Sequence, residues 1–119
     1  MAKQIECYSI TCERSNKMGK DLFCELRDAL KAEHPTLAIS VRRCRVSSSV
    51  CGYCKRMPDH FAIRISSTLT EQEQLDTLIH EIAHAASWIE WENTQQHGPL
   101  WGLEYSKAYR IYEKIVSAE

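Results

Sequence analysis

The sequence predicts one α+β domain over residues 1–119, with an N-terminal helix, a small antiparallel sheet and two further helices. Two observations predict this class: three segments carry helical signals, and two short segments between the first two helices alternate apolar and polar residues. The composition, 44% hydrophobic and 26% charged, is that of a globular protein. A chain of this length supports one modest core rather than two.

The first helix is predicted over residues 16–34. Four apolar residues at steps of four line one face of it: Met18, Leu22, Leu26 and Leu30. Ser15 or Asn16 can cap its N-terminus, and Pro35 stops it.

Two strands are predicted in segments 36–46 and 60–66, where apolar residues occupy every second position. On the inward face these residues are Leu37, Ile39 and Val41 in the first segment and Phe61, Ile63 and Ile65 in the second. The intervening stretch, SSSVCGYCKRMPD, reads as a loop. The two strands are therefore predicted to pair with each other in an antiparallel sheet.

The second helix is predicted to begin after Thr68 or Thr70, either of which can cap it, and to run to about Trp91. A polar loop, ENTQQHG, follows. Pro99 then begins a last helix that continues through about Val116.

His80, Glu81 and His84 form the pattern His-Glu-x-x-His on this second helix. At about 100° per residue, His84 lies about 40° from His80, and Glu81 lies about 100° from it. The opposite side is apolar and carries Leu75, Ile79, Ile82, Ala86 and Ile89. Two imidazoles one turn apart on a polar face are arranged as two ligands of one metal ion require, whereas a helix with two solvated histidines is the alternative.

Two residues compete to be the third ligand. His97 follows His84 by 13 residues in HGPLWG, and a loop between two helices can bring it back to the first two histidines. Glu104 follows His84 by 20 residues, as in thermolysin-like sites, but Leu103 replaces the asparagine usual before that glutamate. We favour His97, because neutral imidazole suits zinc and because Gly98-Pro99 defines the start of the next helix.

The segments HEIAHA and HGPLWG resemble the SprT-like (Spartan-type) zinc metalloprotease domain. The signature of that family is His-Glu-x-x-His followed by His-Gly-Pro-x-Phe/Trp, and Trp101 matches the aromatic position. The strand FAIRIS and the residues leading into the first histidine are also similar. The likeness extends over about residues 60–105, whereas residues 1–59 match only in the expected order of elements.

The resemblance implies a compact zincin-like fold in which one zinc ion is held by His80, His84 and His97. It also implies that Glu81 is the catalytic residue of a zinc endopeptidase acting on protein substrates, including DNA-associated proteins. Zinc would activate water in such a site, and Glu81 would accept the proton. The alternative is a non-catalytic, zinc-stabilised module that binds DNA or protein, but a structural site needs no carboxylate at position 81.

Four of the six cysteines form two pairs, Cys7 with Cys12 and Cys51 with Cys54, which together can hold a second, structural zinc ion. The chain shows neither the hydrophobic block of a signal peptide nor an apolar run long enough to cross a membrane. We therefore expect a cytoplasmic protein without a membrane partner, in which cysteines serve as thiols or metal ligands.

A basic stretch without acidic residues extends from Glu33 to Asp59. It contains Arg42, Arg43, Arg45, Lys55 and Arg56. Such a stretch predicts contacts with DNA phosphates, and an ordinary solvated surface is the alternative. Alternation along the strand predicts that Arg43 and Arg45 share one face while Arg42 lies on the other.

Overall fold

A computed structural model describes residues 21–88 and 97–118, which form three helices and three strands. In chain order these are α1 (Leu22–Glu33), β1 (Ile39–Cys44), β2 (Gly52–Arg56), β3 (Phe61–Ser66), α2 (Glu71–Ala86) and α3 (Pro99–Ser117). The α+β class is confirmed. Within these described ranges, no helix combines the length and apolarity needed to cross a membrane.

The sheet is mixed rather than antiparallel, which corrects the predicted pairing. Its strand order is β1-β3-β2, with β1 parallel and β2 antiparallel to β3. The predicted loop contains β2, which turns back into β3 through residues 57–60 and takes one edge of that strand. The first strand is therefore left with the opposite edge, where it runs in the same direction as β3.

Helix α1 begins later than the sequence predicts. Asp21 is the N-cap, and its carboxylate accepts a hydrogen bond from the backbone N–H of Cys24 at 3.3 Å. The predicted caps Ser15 and Asn16 lie outside the described residues and do not cap α1. The helix ends at Glu33, as expected from the proline that follows shortly after.

The core lies between one face of the sheet and the three helices. The predicted inward residues Ile39, Val41, Phe61, Ile63 and Ile65 are all buried, and Leu37 packs against them partly buried. From the helices, the core receives Leu26, Leu30, Leu75, Leu78, Ile79 and Ile82. Burial of each such side chain stabilises the fold by about 1.5–3 kcal/mol before the loss of conformational entropy is counted.

Helix α2 is fixed at its N-terminus by a capping box. The hydroxyl of Thr70 accepts from the backbone N–H of Glu73, and the Glu73 carboxylate accepts from the backbone N–H of Thr70. The helix ends at Ala86, with Ser87 as C-cap, so the predicted end near Trp91 is wrong. Helix α3 begins at Pro99 as predicted and ends one residue beyond Val116.

Strand β2 packs closely against α2 because position 52 has no side chain. A Cβ atom at Gly52 would lie 2.6 Å from the carbonyl oxygen of Arg64 and 2.9 Å from Cγ2 of Thr77. The first of these contacts is with backbone, which cannot rotate away. Gly52 therefore allows the start of β2 to lie beside the turn of α2 that leads into His80.

Candidate metal centre

Three histidines converge at the place where α2 meets the start of α3. His80 and His84 lie one turn apart on α2, and His97 lies two residues before α3. Nε2 of His80 is 3.3 Å from Nε2 of His84 and 3.2 Å from Nε2 of His97. Adjacent nitrogens of a tetrahedral site lie about 3.3 Å apart when the metal–nitrogen distance is about 2.0–2.1 Å. Two of the three nitrogen–nitrogen distances thus match those between ligands of one metal ion, and all three nitrogens lie within 4.8 Å of one another.

Hydrogen bonds alone do not account for this cluster. A neutral imidazole carries a single N–H, yet Nε2 of His80 lies within 3.3 Å of two other ring nitrogens. A cation at the centre would be contacted by the lone pairs of all three nitrogens. Among the residues that the structure describes, this is the one group of potential ligands whose donor atoms come together, all within 4.8 Å.

Burial favours the uncharged form of the two imidazoles on α2, His80 and His84. It lowers the pKa of His84 to about 4, with further lowering by His80 and His97. Burial, followed by the charge of His97, also lowers the pKa of His80. Because a protonated ring nitrogen cannot bind a metal, the lowered pKa values of His80 and His84 favour metal binding.

Glu81 follows His80 and lies buried in the wall of the adjoining cleft. Burial raises the pKa of its carboxyl group to about 7, because the charged form is poorly solvated there. A carboxylate with this pKa can accept a proton near neutral pH and release it again.

Trp101 packs against all three histidines from the first turns of α3. Its ring centroid lies 5.2 Å from the imidazole centroid of His80, 5.8 Å from that of His84 and 4.6 Å from that of His97. Its Nε1 donates a hydrogen bond to the backbone carbonyl oxygen of His80 at 3.3 Å. The aromatic position of the sequence signature therefore supports the metal centre directly.

A cleft of about 600 Å³ opens beside His80 and Glu81. It lies between the start of β2, one face of α2 and the middle of α3. The residues that line it are Cys51, Gly52, Asp76, Thr77, His80, Glu81, Tyr105 and Tyr109. The carboxylate of Glu81 and the imidazole of His80 are thus accessible from a space large enough for several residues of a peptide.

The model of the SprT-like family matches residues 19–115 of this sequence. The chain belongs to the SprT-like family. The match confirms the resemblance and extends it to α1 and β1, beyond the segment 60–105 that carried it in the sequence. No curated protein matches the sequence. Membership of the SprT-like family suggests a metalloprotease-like domain, with which the three-histidine cluster is compatible.

Of the two candidates for the third ligand, the structure brings His97 to the histidine pair. Glu104 lies outside the cluster. One of its carboxylate oxygens accepts from Nζ of Lys107 at 3.4 Å, and the other is buried without a hydrogen-bond partner in the described part of the chain.

The predicted cysteine site is only partly covered by the described residues. Cys54 is buried in the core face of β2, where burial and the charge of Glu81 raise the pKa of its thiol to about 12. Cys51 is exposed and lines the cleft instead. Cys7 and Cys12 lie outside the described residues, so the four-cysteine zinc site stays a prediction.

The five basic residues are separated by the fold. Arg42 and Lys55 are exposed on the outer face of the sheet, and Arg45 is exposed just beyond β1. Arg56 lies over the ring of Phe61 at the edge of the core face, with its guanidinium carbon 5.0 Å from the ring centroid.

Arg43 points inward and holds α1 against the sheet. It forms an ion pair with Asp21 at 2.8 Å, and its guanidinium carbon lies 4.4 Å from the centroid of the Phe23 ring. Arg64, which the sequence analysis did not select, pairs in register with Arg42 and therefore shares the outer face with it. The only signal in the sequence was its position between the inward residues Ile63 and Ile65.

Proposed function

We propose that this protein is a zinc-dependent endopeptidase whose substrates are proteins. The observation that carries the proposal is the convergence of three imidazoles beside a buried carboxylate at the wall of an open cleft. A structural metal site would need neither the carboxylate nor the cleft. Membership of the SprT-like family supports the same reaction class.

The donor set favours zinc over other divalent ions. Three neutral nitrogens suit a borderline-soft ion, whereas calcium and magnesium take oxygen ligands. A catalytic zinc site has three protein ligands and one further position, and the ion supplies a Lewis acid that activates water and polarises a carbonyl group. His80, His84 and His97 would hold it through their Nε2 atoms.

Glu81 is assigned the role of general base. Its carboxylate would take a proton from the attacking water and pass it to the leaving amine. The substrate would bind in an extended conformation, because β2 is an edge strand of the sheet and its first residue lines the cleft. Pairing with a strand edge uses backbone groups, and such recognition tolerates many side chains.

The test is hydrolysis of casein by the zinc-loaded protein and by Glu81→Gln, which preserves size and removes the base. Hydrolysis should fall by at least about 10²-fold, the size of effect expected for loss of general-base catalysis. Zinc content should be unchanged, and circular dichroism should show that the variant is folded at the assay temperature. The matched control is Glu71→Gln, an exposed residue in the first turn of the same helix, which should hydrolyse casein like the wild type.

Equal hydrolysis by wild type and Glu81→Gln would assign the activity to another base or to a contaminating protease. If the wild type cleaves no protein, with or without DNA, the chain is a zinc-stabilised binding module instead. One observation favours DNA as a partner in either case. The outer face of the sheet carries Arg42, Lys55 and Arg64, three cations suited to phosphate contacts.

A further inference from the structure

A second cavity, apart from the metal centre, has a volume of about 500 Å³. That volume lies in the range of small-molecule sites. One wall is the segment 45–51, which follows β1, and the other is formed by the end of β3 and the first residues of the connection to α2. Of the described residues that line this cavity, Cys51 alone also lines the cleft beside His80 and Glu81.

The cavity lies at the carboxyl ends of two parallel strands. Strand β1 ends at Cys44 and β3 ends at Ser66, and these two residues pair in register. The chain therefore leaves both strands at the same edge of the sheet, and the two segments that follow enclose a space between them. In open sheets with parallel strands, ligands bind in the crevice at this edge.

Arg45 gives the cavity a positive charge. It is exposed directly after β1, and its guanidinium forms no hydrogen bond or ion pair with any residue that the structure describes. Glu71 and Glu73 of α2 are the acidic residues nearest to the lining in sequence, and neither of them lines the cavity. The charge of Arg45 is therefore available to an anion.

Hydroxyl groups supply further hydrogen-bond donors. The hydroxyl oxygens of Ser47 and Ser49 are 3.0 Å apart, and those of Ser66 and Thr68 are 2.9 Å apart. Whichever hydroxyl of a pair donates, the hydrogen of the other is left for a ligand. The hydroxyl of Ser48 forms no hydrogen bond within the described ranges, so it can also donate. The lining thus offers a cation and several neutral donors together.

The rest of the lining is apolar. It consists of Val46, Val50 and Leu69, of which Val50 is 43% exposed and Leu69 packs partly buried against the core. A bare inorganic anion would leave these side chains uncovered. A ligand that carries an organic group beside its anionic group would cover them and would gain from the burial of apolar surface.

We propose that this cavity binds a small phosphate ester. The phosphate group contacts Arg45 and the free hydroxyls of Ser49 and Thr68, and the organic group packs against Val50 and Leu69. Arginine suits phosphate because its N–H groups match the phosphate oxygens in pairs. Calcium or magnesium would require carboxylate ligands, which the described lining lacks. The site is independent of peptide hydrolysis.

Nuclear magnetic resonance of the isotope-labelled, zinc-loaded protein tests the site. Phenyl phosphate, inorganic phosphate and phenol are titrated in turn, and the backbone amide signals are followed. Phenyl phosphate should shift the signals of residues 45–51 and 66–69 and should bind more tightly than inorganic phosphate. Phenol, which lacks the anion, should shift none of these signals at the same concentration.

Two variants separate the anionic from the apolar contact. Arg45→Gln should weaken the binding of phenyl phosphate about 5- to 10-fold, the size expected for loss of a partly exposed charged contact. Val50→Ser should weaken it about 2- to 4-fold and leave the binding of inorganic phosphate unchanged. Arg110→Gln, at an exposed position on α3, is the matched control and should bind like the wild type. The same spectra show whether each variant is folded.

Other results would overturn the proposal. Signal shifts centred on His80, Glu81 or His97 would place the anion at the metal centre instead. Binding that Arg45→Gln leaves unchanged, or inorganic phosphate that binds as tightly as phenyl phosphate, would exclude a site for an ester. A DNA single strand is the last ligand to be titrated. If it shifts the same signals at lower concentration than phenyl phosphate, the cavity belongs to a nucleic-acid surface and not to a small-molecule site.

Discussion

The indole of Trp101 donates a hydrogen bond to the backbone carbonyl oxygen of His80, so one residue of α3 contacts the backbone of His80 and the rings of His80, His84 and His97. The bond joins the helix that carries His80 and His84 to the helix that follows His97. Such supporting contacts hold ligands in the orientation that the metal requires.

Trp101→Phe should weaken zinc binding without unfolding the protein. Phenylalanine retains an aromatic ring but lacks the donor, and loss of a supporting partner of this kind typically costs about 10- to 100-fold in metal affinity. Competition with a fluorescent chelator measures the change. Trp88→Phe is the control, because Trp88 packs its ring against Phe61 at 5.7 Å and should leave zinc affinity unaltered. Equal affinities in all three proteins would show that the Trp101 bond does not support the metal centre.

His97→Ala should lose most of the bound zinc, because it removes one of three ligands that the structure brings together. Glu104→Ala should retain the metal, since that carboxylate lies outside the cluster. Metal content per chain, measured by mass spectrometry after gel filtration, is the readout. The reverse result would give the protein a thermolysin-like ligand set.

Glu81 should make the stability of the metal-free protein depend on pH. Burial raises the pKa of its carboxyl group from 4.5 to about 7, so between these values the folded state keeps a proton that the unfolded state releases. The stabilisation from this group is complete below about pH 4.5 and is lost as the pH rises through 7. As the pH rises from 5 to 8, the wild type should lose about 2 kcal/mol of unfolding free energy that Glu81→Gln retains.

Urea unfolding of chelator-treated protein at several pH values measures this difference. His84 contributes in the opposite direction, because its pKa is lowered to about 4 and the folded state therefore holds fewer protons below pH 6.5. That contribution is common to both proteins and cancels in the comparison. Parallel pH profiles for wild type and Glu81→Gln would mean that the carboxylate is charged and solvated in the folded state.

Nucleic-acid binding should depend on Arg42 and Lys55 rather than on Arg43. The first two are exposed on the outer face of the sheet, whereas Arg43 is paired with Asp21. Arg42→Glu with Lys55→Glu should greatly weaken binding to a labelled DNA single strand. With three cations including Arg64, the slope of log affinity against log salt should not exceed about 2 in magnitude.

Arg43→Met provides the contrast. It should bind the single strand like the wild type but unfold more easily, by about 1–3 kcal/mol, because Asp21 is left without its partner. Arg42→Met should change the unfolding free energy by no more than about 0.5 kcal/mol, as is usual at exposed positions. Fluorescence anisotropy and urea unfolding measure the two properties. Binding that is indifferent to Arg42 and Lys55 would leave the basic stretch as an ordinary solvated surface.

The features that the sequence predicted well depend on neighbours along the chain. Apolar periodicity indicated α1 and α2, and alternation located β1 and β3, because each pattern reports which face of a single element is buried. Pro99 marked the start of α3. The convergence of His80 and His84 belongs to this group, since residues 80 and 84 face the same way on any helix.

The features that the sequence analysis missed depend on how helices and strands pair and pack with one another. Alternation identifies the inward side chains of a strand but not the direction of its partner, so the parallel pairing of β1 and β3 was not visible. Strand β2 was overlooked because, as an edge strand, it exposes Lys55 and Arg56 and lacks the apolar alternation of a buried strand. The tyrosine wall of the cleft requires the rotation of α3 relative to α2, which no local pattern encodes.

The mixed sheet also determines the order in which its strands can assemble. Strands β2 and β3 are joined by residues 57–60 alone, and hairpins of this kind form within about 1–10 μs. Pairing of β1 with β3 brings together residues such as Ile39 and Phe61, which are far apart in sequence, and non-local contacts slow folding. Until β1 docks, one edge of β3 is open to another chain, the usual route to aggregation. Arg64 lies on that strand, and in the folded protein it donates to the carbonyl oxygen of Ser40 at 3.1 Å. Before β1 docks, its guanidinium is a charge beside the open edge of β3, where charges oppose pairing with another chain.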